Sequence, residues 1–392
     1  MTRKVPLLCA ATALAFAGAA SAAEIEVMTQ NQYLGADIAP LILAVGTPDF
    51  NDALVTALEQ IADNRTQERF IALAALISKR QPHLVGLQEV WEFNCIPAVT
   101  DQQLAGLGLP PGYPCNGSAI AGAFNDHLDG TMEALGTRYT AVSFVQNFAV
   151  QAIEIGPGQF IPGIYFEYNG IPAFLQVQDR DVILARDDVA AERVDPADLG
   201  CARPSEDGCN FDVDLPLAPP LGSVERGFLA VDVTVNGIDY RFFNTHLEVQ
   251  GNAIIPGAVQ TAQAAQLIGT ALATTPLTRR LIIVGDMNSD PNEPAYGPGV
   301  PTPYMLFSAA GLYDLWNLRP GATAGFSCCQ AEDLSNKVSL LNQRIDLIFT
   351  REMPRKVKEV RLLGEVAADR TRPPGRGLWP SDHASVAAKI QY

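Results

Sequence analysis

The sequence predicts an α/β fold in which two mixed β-sheets pack against each other and helices cover the outside. Strand-like runs are joined in hairpins, and Asn236-Gly237 between two apolar runs is the strongest hairpin pattern in the chain. Segments with a single apolar stripe, typical of surface helices, lie between other runs. The sequence has neither a regular strand–helix alternation nor a glycine-rich first turn, which argues against a doubly wound nucleotide-binding fold.

Local periodicity predicts the individual elements. Polar and apolar residues alternate over 24–32, which predicts the first strand, and apolar stripes predict helices over 51–63, 66–79 and 260–273. Residues 92–130 and 187–222 are rich in Gly, Pro, Asn or Asp, which predicts two long loops. Further strands are predicted at 84–90, 139–150, 164–178, 181–186, 228–235, 238–245, 281–284, 343–350, 356–363 and 384–390.

The composition predicts a folded, acidic protein of one large domain. Hydrophobic residues make up 48% of the 392 residues and charged residues 18%, which excludes a disordered chain. Acidic residues outnumber basic ones 43 to 27, giving a formal charge of −16, so a broad basic face for nucleic acid is not expected. No internal repeat or low-complexity linker divides the chain, and we therefore expect a single catalytic domain over 23–392.

The N-terminus has the pattern of a secretory signal peptide over residues 1–22. Arg3 and Lys4 precede an uncharged stretch rich in Ala and Leu, and Ala20-Ser21-Ala22 matches a cleavage site. The alternative is a buried N-terminal helix. Cleavage would remove two basic residues and no acid, changing the formal charge from −16 to −18. The pattern predicts a secreted or periplasmic protein.

Six cysteines remain after residue 22, an even number that predicts disulfides in an exported chain. Pairing Cys95 with Cys115 and Cys201 with Cys209 would close two local loops, and the adjacent Cys328 and Cys329 would form a vicinal bridge. Other pairings stay open, because six cysteines allow fifteen. A zinc site is the alternative, but no CxxC pair or nearby histidine accompanies the cysteines.

Polar residues recur at the ends of apolar strands. A charged carboxylate so close to a buried strand costs several kcal/mol unless it is paired or bound to a cation, so the repeated pattern predicts that these residues converge. Carboxylate and amide oxygens favour Mg²⁺, Mn²⁺ or Ca²⁺ over zinc. Taken singly, each residue has an ordinary structural alternative, such as a solvated rim position or an Asx turn. The residues are Asn31, Glu89, Asn244, His246, Asp286, Asn288, Asp346, Asp382 and His383.

Six segments in this order resemble the endonuclease/exonuclease/phosphatase superfamily, which includes deoxyribonucleases, sphingomyelinases and inositol-polyphosphate phosphatases. The resemblance covers residues 24–390. It implies a four-layer α/β sandwich and metal-dependent hydrolysis of a phosphoester. The segments are Thr29-Gln30-Asn31, Gln88-Glu89, Asn244-Thr245-His246-Leu247, Gly285-Asp286-Met287-Asn288-Ser289-Asp290, Arg344-Ile345-Asp346 and Ser381-Asp382-His383.

The resemblance also implies a metal site. Glu89 would bind the divalent cation directly, and Asn31 and Asp382 would complete or support its site. Mg²⁺ is the ion favoured most, with Mn²⁺ and Ca²⁺ as alternatives.

Five further residues receive catalytic roles from the resemblance. Asp286 would orient or deprotonate the attacking water, and Asn288 would place that water or a phosphate oxygen. His383, oriented by Asp346, would contact the phosphate or act as acid and base. His246 would donate to a non-bridging phosphate oxygen.

The substrate is less well defined by the sequence. Asn244 and Arg186 are candidate phosphate contacts, although an arginine such as Arg186 is more often part of a surface ion pair. The aromatic run over 160–174 would form either a lipid-contacting hairpin or, as we favour, a half-buried edge hairpin. We expect a phosphodiesterase acting on nucleic acid, a lipid head group or a small ester, with transient membrane contact as an option and no stable protein partner. A phosphomonoesterase and a catalytically idle, surface-binding relative are the alternatives.

Overall fold

The computed structural model describes residues 23–217, 221–250, 257–321, 323–372 and 377–392. The predicted signal peptide over 1–22 lies outside the described residues. The strands among them are β1 Glu24–Asn31, β2 Leu84–Gln88, β3 Glu92–Pro97, β4 Tyr139–Val150, β5 Ile153–Gly156, β6 Gln159–Ile161, β7 Ile164–Tyr168, β8 Ile171–Arg186, β9 Ala191–Arg193, β10 Pro204–Ser205, β11 Gly208–Asn210, β12 Leu215–Pro216, β13 Ser223–Val224, β14 Gly227–Val235, β15 Ile238–His246, β16 Arg280–Asp286, β17 Tyr313–Asp314, β18 Asp346–Thr350, β19 Lys356–Leu363 and β20 Ser385–Gln391.

The α-helices in the same part of the chain are mostly short, and three 3₁₀ turns accompany them at Ala119–Ala123, Gly136–Arg138 and Ala367–Asp369. The helices are α1 Ala39–Ala44, α2 Phe50–Asp63, α3 Thr66–Arg80, α4 Asp101–Gly106, α5 His127–Leu135, α6 Gly257–Thr274, α7 Pro303–Ala309 and α8 Leu315–Leu318.

Two eight-stranded mixed sheets form the centre of the molecule. The first has the order β19-β20-β1-β2-β8-β3, and β4 and β7 also pair with the long strand β8. The second has the order β10-β11-β14-β15-β16-β18-β17, with β9 paired to β14. The β1–β2 and β15–β16 pairs are parallel, whereas β16–β18 and β1–β20 are antiparallel.

Apolar side chains between the sheets and outside them create four layers. Between the sheets, Val27 and Ile183 of the first pack with Phe242 and Ile282 of the second in one buried cluster. Helices α3 and α5 cover the outer face of the first sheet, and α6 and α7 cover that of the second. This arrangement is the four-layer α/β sandwich that the sequence predicts.

The predicted loop over 92–130 is wrong. This segment contains β3, α4, a 3₁₀ turn and α5. Its helices are short and begin at polar caps, Thr100 for α4 and Asp126 for α5, so Gly and Pro mark turns between them rather than one long loop. The run over 164–178 is likewise interrupted: β7 and β8 form a hairpin around Asn169-Gly170 in which Ile164, Phe166 and Tyr168 are buried and Tyr165 is exposed.

Disulfides join Cys95 to Cys115, Cys201 to Cys209 and Cys328 to Cys329. These are the three local pairs expected from the sequence. Among the described residues, no helix has the length and apolar character needed to cross a bilayer.

At Gly86, strand β2 of the first sheet lies directly against the second sheet. A Cβ atom at this position would lie 2.4 Å from Asn244 Oδ1 and 2.7 Å from Val284 Cγ2, both on the second sheet. A side chain at this point would push the sheets apart.

We therefore expect Gly86→Ala to lower the free energy of unfolding by about 1–3 kcal/mol, the usual cost of overpacking a core. Urea unfolding followed by circular dichroism measures this change. The matched control is Gly106→Ala in α4, where a Cβ would meet nothing within 4 Å. Equal stability of the two variants would contradict the close approach.

Candidate active site

The polar residues at the strand ends meet at one edge of the sandwich. In the second sheet His246 is in register with Asp286, and Asp286 is in register with Asp346. In the first sheet Asn31 is in register with Gln88, which places Glu89 directly beyond that pair. The pairing of the strands thus brings residues far apart in sequence to the same edge.

A pocket of about 610 Å³ lies at this edge. It contains six of the predicted site residues, whereas Asn31 and Asp346 contact the lining groups from behind. The disulfide-linked Cys328 and Cys329 also line the pocket. The six predicted lining residues are Glu89, His246, Asp286, Asn288, Asp382 and His383.

The side-chain amide of Asn31 joins the two sheets. Its Nδ2 donates to Glu89 Oε1 at 2.9 Å and to Asp286 Oδ2 at 3.0 Å, and its Oδ1 accepts from the Tyr33 amide at 2.8 Å. The other Glu89 oxygen accepts from the Leu34 amide at 2.9 Å. Asn31 therefore orients the carboxylates of Glu89 and Asp286 and links the ends of the two sheets.

The backbone is strained at three positions of the pocket. Tyr33, Glu89 and Asn288 have φ angles of 61°, 54° and 46°, in the left-handed region that side chains other than Asn and Asp rarely adopt. Such conformations cost about 1–3 kcal/mol each and persist where the surrounding structure imposes them, commonly at functional sites.

His383 is held by carboxylates. Its Nδ1 lies 2.8 Å from Asp346 Oδ2 and its Nε2 lies 3.8 Å from Asp286 Oδ2. Burial opposes protonation of this ring, but Asp346, Asp382 and Asp286 outweigh burial and raise the pKa of His383 well above its usual value. In the absence of a metal the ring is therefore an imidazolium at neutral pH.

His246 has the opposite environment. Burial, the Arg226 guanidinium and His383 lower the pKa of His246 well below its usual value, so the ring is neutral. Arg226 Nη1 lies 3.0 Å from His246 Nδ1, and a guanidinium only donates, so Nδ1 accepts and Nε2 carries the proton. His246 Nε2 lies 3.5 Å from Asp286 Oδ2 and 3.1 Å from Asn288 Nδ2, and all three residues line the pocket.

Two carboxyl groups of the pocket, those of Asp286 and Asp382, have raised pKa values. Burial and the neighbouring Asp346 raise the pKa of Asp286 to about 7. Burial, opposed by His383 and reinforced by Glu89, raises the pKa of Asp382 to about 6. A carboxyl group with a pKa near 7 is suited to accept a proton in neutral solution.

The residues present fit a hard divalent cation. Asp286, Asp346 and His383 offer ligand atoms within 4.8 Å of one another, Glu89 and Asp382 interact electrostatically beside them, and the buried Asp346 Oδ1 has no hydrogen-bond partner. An oxygen-rich set of this kind is typical of Mg²⁺ sites. Cys328, Cys329 and His383 form a second close group, but sulfurs joined in a disulfide offer no thiolate to zinc.

Asn244 does not reach the pocket, which corrects the prediction that it contacts substrate. It is fully buried between the sheets, where Nδ2 donates to Leu87 O at 2.9 Å and Val182 O at 3.1 Å. Its Oδ1 accepts from Gln88 Nε2 at 2.6 Å. All three hydrogen-bond partners of the Asn244 amide belong to the first sheet, whereas Asn244 itself lies in β15 of the second sheet. These bonds therefore hold the two sheets together.

Arg186 also lies outside the pocket. It forms an ion pair with Asp188 and donates to the Gln81 carbonyl, at the end of β8 that pairs with Tyr139. Because β8 is antiparallel to β2, Arg186 is level with the start of β2, whereas Glu89 follows its end. The surface ion pair that the sequence left as the alternative is the observed arrangement.

Sequence reasoning missed two arginines that organise the site. Arg226 contacts His246, as described above, and it directly precedes β14, at the end of the predicted hairpin where Phe228 pairs with Thr245. Arg69 is fully buried in α3 and donates to the carbonyls of Tyr33 at 2.7 Å and Pro380 at 3.0 Å. It thereby fixes the loops that carry Asn31 and His383, and no local pattern marks it.

Two serines behind the pocket were also missed. Ser381 Oγ donates to the Asn31 carbonyl at 2.8 Å and accepts from the His383 amide at 3.0 Å. Ser327 Oγ accepts from the Asp346 amide at 3.1 Å. The Ser381 hydroxyl connects the residues before β20 to the end of β1, and the Ser327 hydroxyl connects its loop to the start of β18. The Ser-Asp-His motif contains Ser381, and its hydroxyl was a usable clue to this role.

The fold and the pocket define the class of protein: a four-layer α/β sandwich with a carboxylate–histidine site across the two sheets. The model of the Endonuclease/Exonuclease/phosphatase family matches residues 60–383, and the chain belongs to this family. Its members are generally hydrolases that act on phosphoester bonds. No curated protein matches the sequence.

Solved structures share the fold at low sequence identity. The mannosyl-6-phosphatase Bt3783 of Bacteroides thetaiotaomicron VPI-5482 is 16% identical with a TM-score of 0.50, and the match covers 94% of this chain and 100% of that one. A family protein from Leptotrichia buccalis C-1013-b is 15% identical with a TM-score of 0.48, covering 94% and 100%. Truncated Caenorhabditis elegans TDP2 is 15% identical with a TM-score of 0.46, covering 94% and 98%. Of these, the match at a TM-score of 0.50 supports the fold and nothing beyond it.

The raised pKa of Asp286 predicts a pH-dependent stability of the metal-free protein. The folded state keeps a proton up to about pH 7, whereas the unfolded state loses it near the ordinary carboxyl value of 3.8, so stability falls as pH rises between these values. We expect the thermal midpoint in EDTA to fall between pH 5 and pH 8, and to fall less in Asp286→Asn.

The matched control is Asp129→Asn, which removes an exposed carboxylate on α5 and should leave the wild-type slope. Differential scanning fluorimetry across the pH range measures all three proteins. If Asp286→Asn follows the wild-type slope, the buried carboxyl does not hold the proton.

Proposed function

We propose that the protein is an exported, divalent-metal-dependent phosphoester hydrolase that favours phosphodiesters. The observation that carries this proposal is the convergence of Glu89, Asp286, Asp346 and two histidines on one pocket from the ends of both sheets. The family membership supports hydrolysis of a phosphoester bond as the reaction.

Glu89 and Asp382 would hold the cation, Mg²⁺ in the first instance, with Asn31 orienting Glu89. Bound there, the cation would neutralise phosphoryl charge as a Lewis acid and orient the ester. Mn²⁺ and Ca²⁺ bind the same oxygen ligands and are the alternatives.

The chain's own residues would then carry the proton transfers. Asp286 accepts the proton of the attacking water, and Asn31 Nδ2, 3.0 Å from Asp286 Oδ2, orients the carboxylate for this role. The His246 N–H binds a non-bridging phosphate oxygen, held in that tautomer by Arg226. The His383 imidazolium, oriented by Asp346, donates to the phosphate or to the leaving oxygen.

The charge of the pocket favours a diester over a monoester. Among its described lining residues, Arg226 is the one arginine or lysine, and it lies 3.5 Å from the buried carboxylate of Asp179. A monoester dianion brings one more negative charge than a diester into this acidic surrounding.

Three substrate classes remain within the proposal: nucleic acid, lipid head groups and small esters. The formal charge of −16 disfavours long nucleic acid. The hairpin of β5 and β6 exposes Ile155 and Phe160, at 62% and 63% of their surface, which supports transient membrane contact. A side-by-side assay with plasmid DNA, RNA, sphingomyelin and inositol phosphates separates these classes.

Asp286→Asn and His383→Ala should each lower kcat/KM by about 10²–10⁴-fold, because each removes a proton-transferring group. The measurement is hydrolysis of a chromogenic phosphodiester with Mg²⁺, Mn²⁺ or Ca²⁺, and then with EDTA, which should abolish it. A folded variant with near-normal turnover would remove that residue from the mechanism.

Arg186→Ala is the matched control, since it removes a charged side chain at the opposite end of the sheet; its kcat/KM should stay within about twofold of wild type. A protein that hydrolyses none of the esters with any of these metals is the idle, surface-binding relative instead.

Export would leave the six cysteines of residues 23–392 in three disulfides. We expect the denatured, unreduced protein from the secreted or periplasmic fraction to take up no alkylating reagent, and the reduced protein to take up six equivalents. Intact mass spectrometry measures both. Six reactive thiols before reduction would contradict export to an oxidising compartment.

A further inference from the structure

A second cavity, of about 110 Å³, lies beside the catalytic pocket. It is enclosed by α1 and α2 on one side and by the edge of the first sheet on the other. Its described lining is apolar except for two side chains, Asp179 and Arg226. The apolar lining includes Leu41, Leu54, Ala57, Trp91, Phe148 and Val177.

The cavity and the catalytic pocket have a common wall. Leu34, Ile38 and Arg226 line both spaces. Two of these three are bound to catalytic groups, because the Leu34 amide donates to Glu89 Oε2 at 2.9 Å and Arg226 Nη1 lies 3.0 Å from His246 Nδ1. A molecule in the cavity is therefore one residue away from the catalytic pocket that contains Glu89 and His246.

Most of the lining of this cavity offers no partner to water. A buried water needs two to four polar partners, and the lining residues with a buried polar atom that lacks a hydrogen-bond partner are Trp91, Asp179 and Arg226. Arg226 Nη1 lies 3.5 Å from Asp179 Oδ2. The aliphatic and aromatic side chains that form the rest of the described lining would gain by burying hydrocarbon.

We propose that this cavity is a subsite for an aliphatic chain carried by the phosphoester substrate. The inference rests on the proposed function and names its substrate class: an amphiphile whose phosphate lies in the catalytic pocket and whose hydrocarbon passes Leu34 and Ile38. The lining residues that the cavity shares with the catalytic pocket, Leu34, Ile38 and Arg226, favour an occupant joined to a phosphate in that pocket over an unrelated apolar molecule.

A series of 4-nitrophenyl phosphodiesters with methyl, butyl and hexyl groups tests the subsite with the full-length mature protein and Mg²⁺. All release the same leaving group, so differences in kcat/KM report the alkyl chain. We expect kcat/KM to rise about fourfold for each methylene that the cavity buries. Equal values for the three esters would overturn the proposal.

Ala57→Leu fills the cavity from α2 and should lower the hexyl-to-methyl ratio of kcat/KM. Thr56→Leu is the matched control, because it adds the same side chain at an exposed position of the same helix that does not line the cavity. The control should keep the wild-type ratio. An unchanged ratio in a folded Ala57→Leu variant would place the hydrocarbon elsewhere.

Titration calorimetry on the wild-type protein tests the subsite by binding alone, without the variants and without a measurement of hydrolysis. Hexylphosphonate should bind at least tenfold more tightly than methylphosphonate, and hexanol alone should bind weakly. Equal affinity of the two phosphonates overturns the subsite, as does tight binding of hexanol, which would make the cavity an independent lipid site. If no ester is hydrolysed, the proposed function fails, and the phosphonates still decide the subsite.

Discussion

The site depends on holding several carboxylates together against their mutual repulsion. Glu89 and Asp286 come from different sheets, and one amide, that of Asn31, donates to both of them. The His383 ring compensates the negative charge of Asp346, and both that ring and the buried Arg69 favour the charged form of Asp382. Because these compensations are incomplete, Asp286 and Asp382 retain raised pKa values, and a divalent cation is the species that would relieve the remaining charge.

The sequence predicts this convergence because the end of a strand can be recognised from the local residue pattern, and neighbouring strands end at the same edge of the sheet. His246, Asp286 and Asp346 each stand at the end of an apolar run, and in the structure they occupy one register across three strands. Asn244 meets the same sequence criterion and yet fails. It lies two residues earlier than His246 on the same face of β15, about 7 Å deeper in the sheet interface, where no substrate reaches.

The sequence does not show which way a strand runs in its sheet or which distant residues a side chain contacts. Arg186 follows an apolar run just as Glu89 does, but β8 runs antiparallel to β2, so the two residues lie at opposite ends of the sheet. Arg69 lies in the apolar stripe of α3, and its partners are backbone carbonyls at residues 33 and 380, which no local pattern reveals. In 92–130, the same Gly and Pro residues that suggested a loop separate short capped helices.

The two histidines differ in charge because their partners differ in charge. His383 faces carboxylates and is protonated, whereas His246 faces a guanidinium and is neutral with its N–H toward the pocket. The pocket can thus present N–H donors to a phosphate from two sides. Among its described lining residues, the one lysine or arginine is Arg226, which is paired with Asp179. Donors of this kind orient a phosphate but add little long-range attraction in an acidic protein. Affinity for a substrate then has to come from the cation and from parts of the substrate remote from the phosphate, and the apolar surface behind Leu34 and Ile38 is the adjacent place where hydrocarbon burial would supply it.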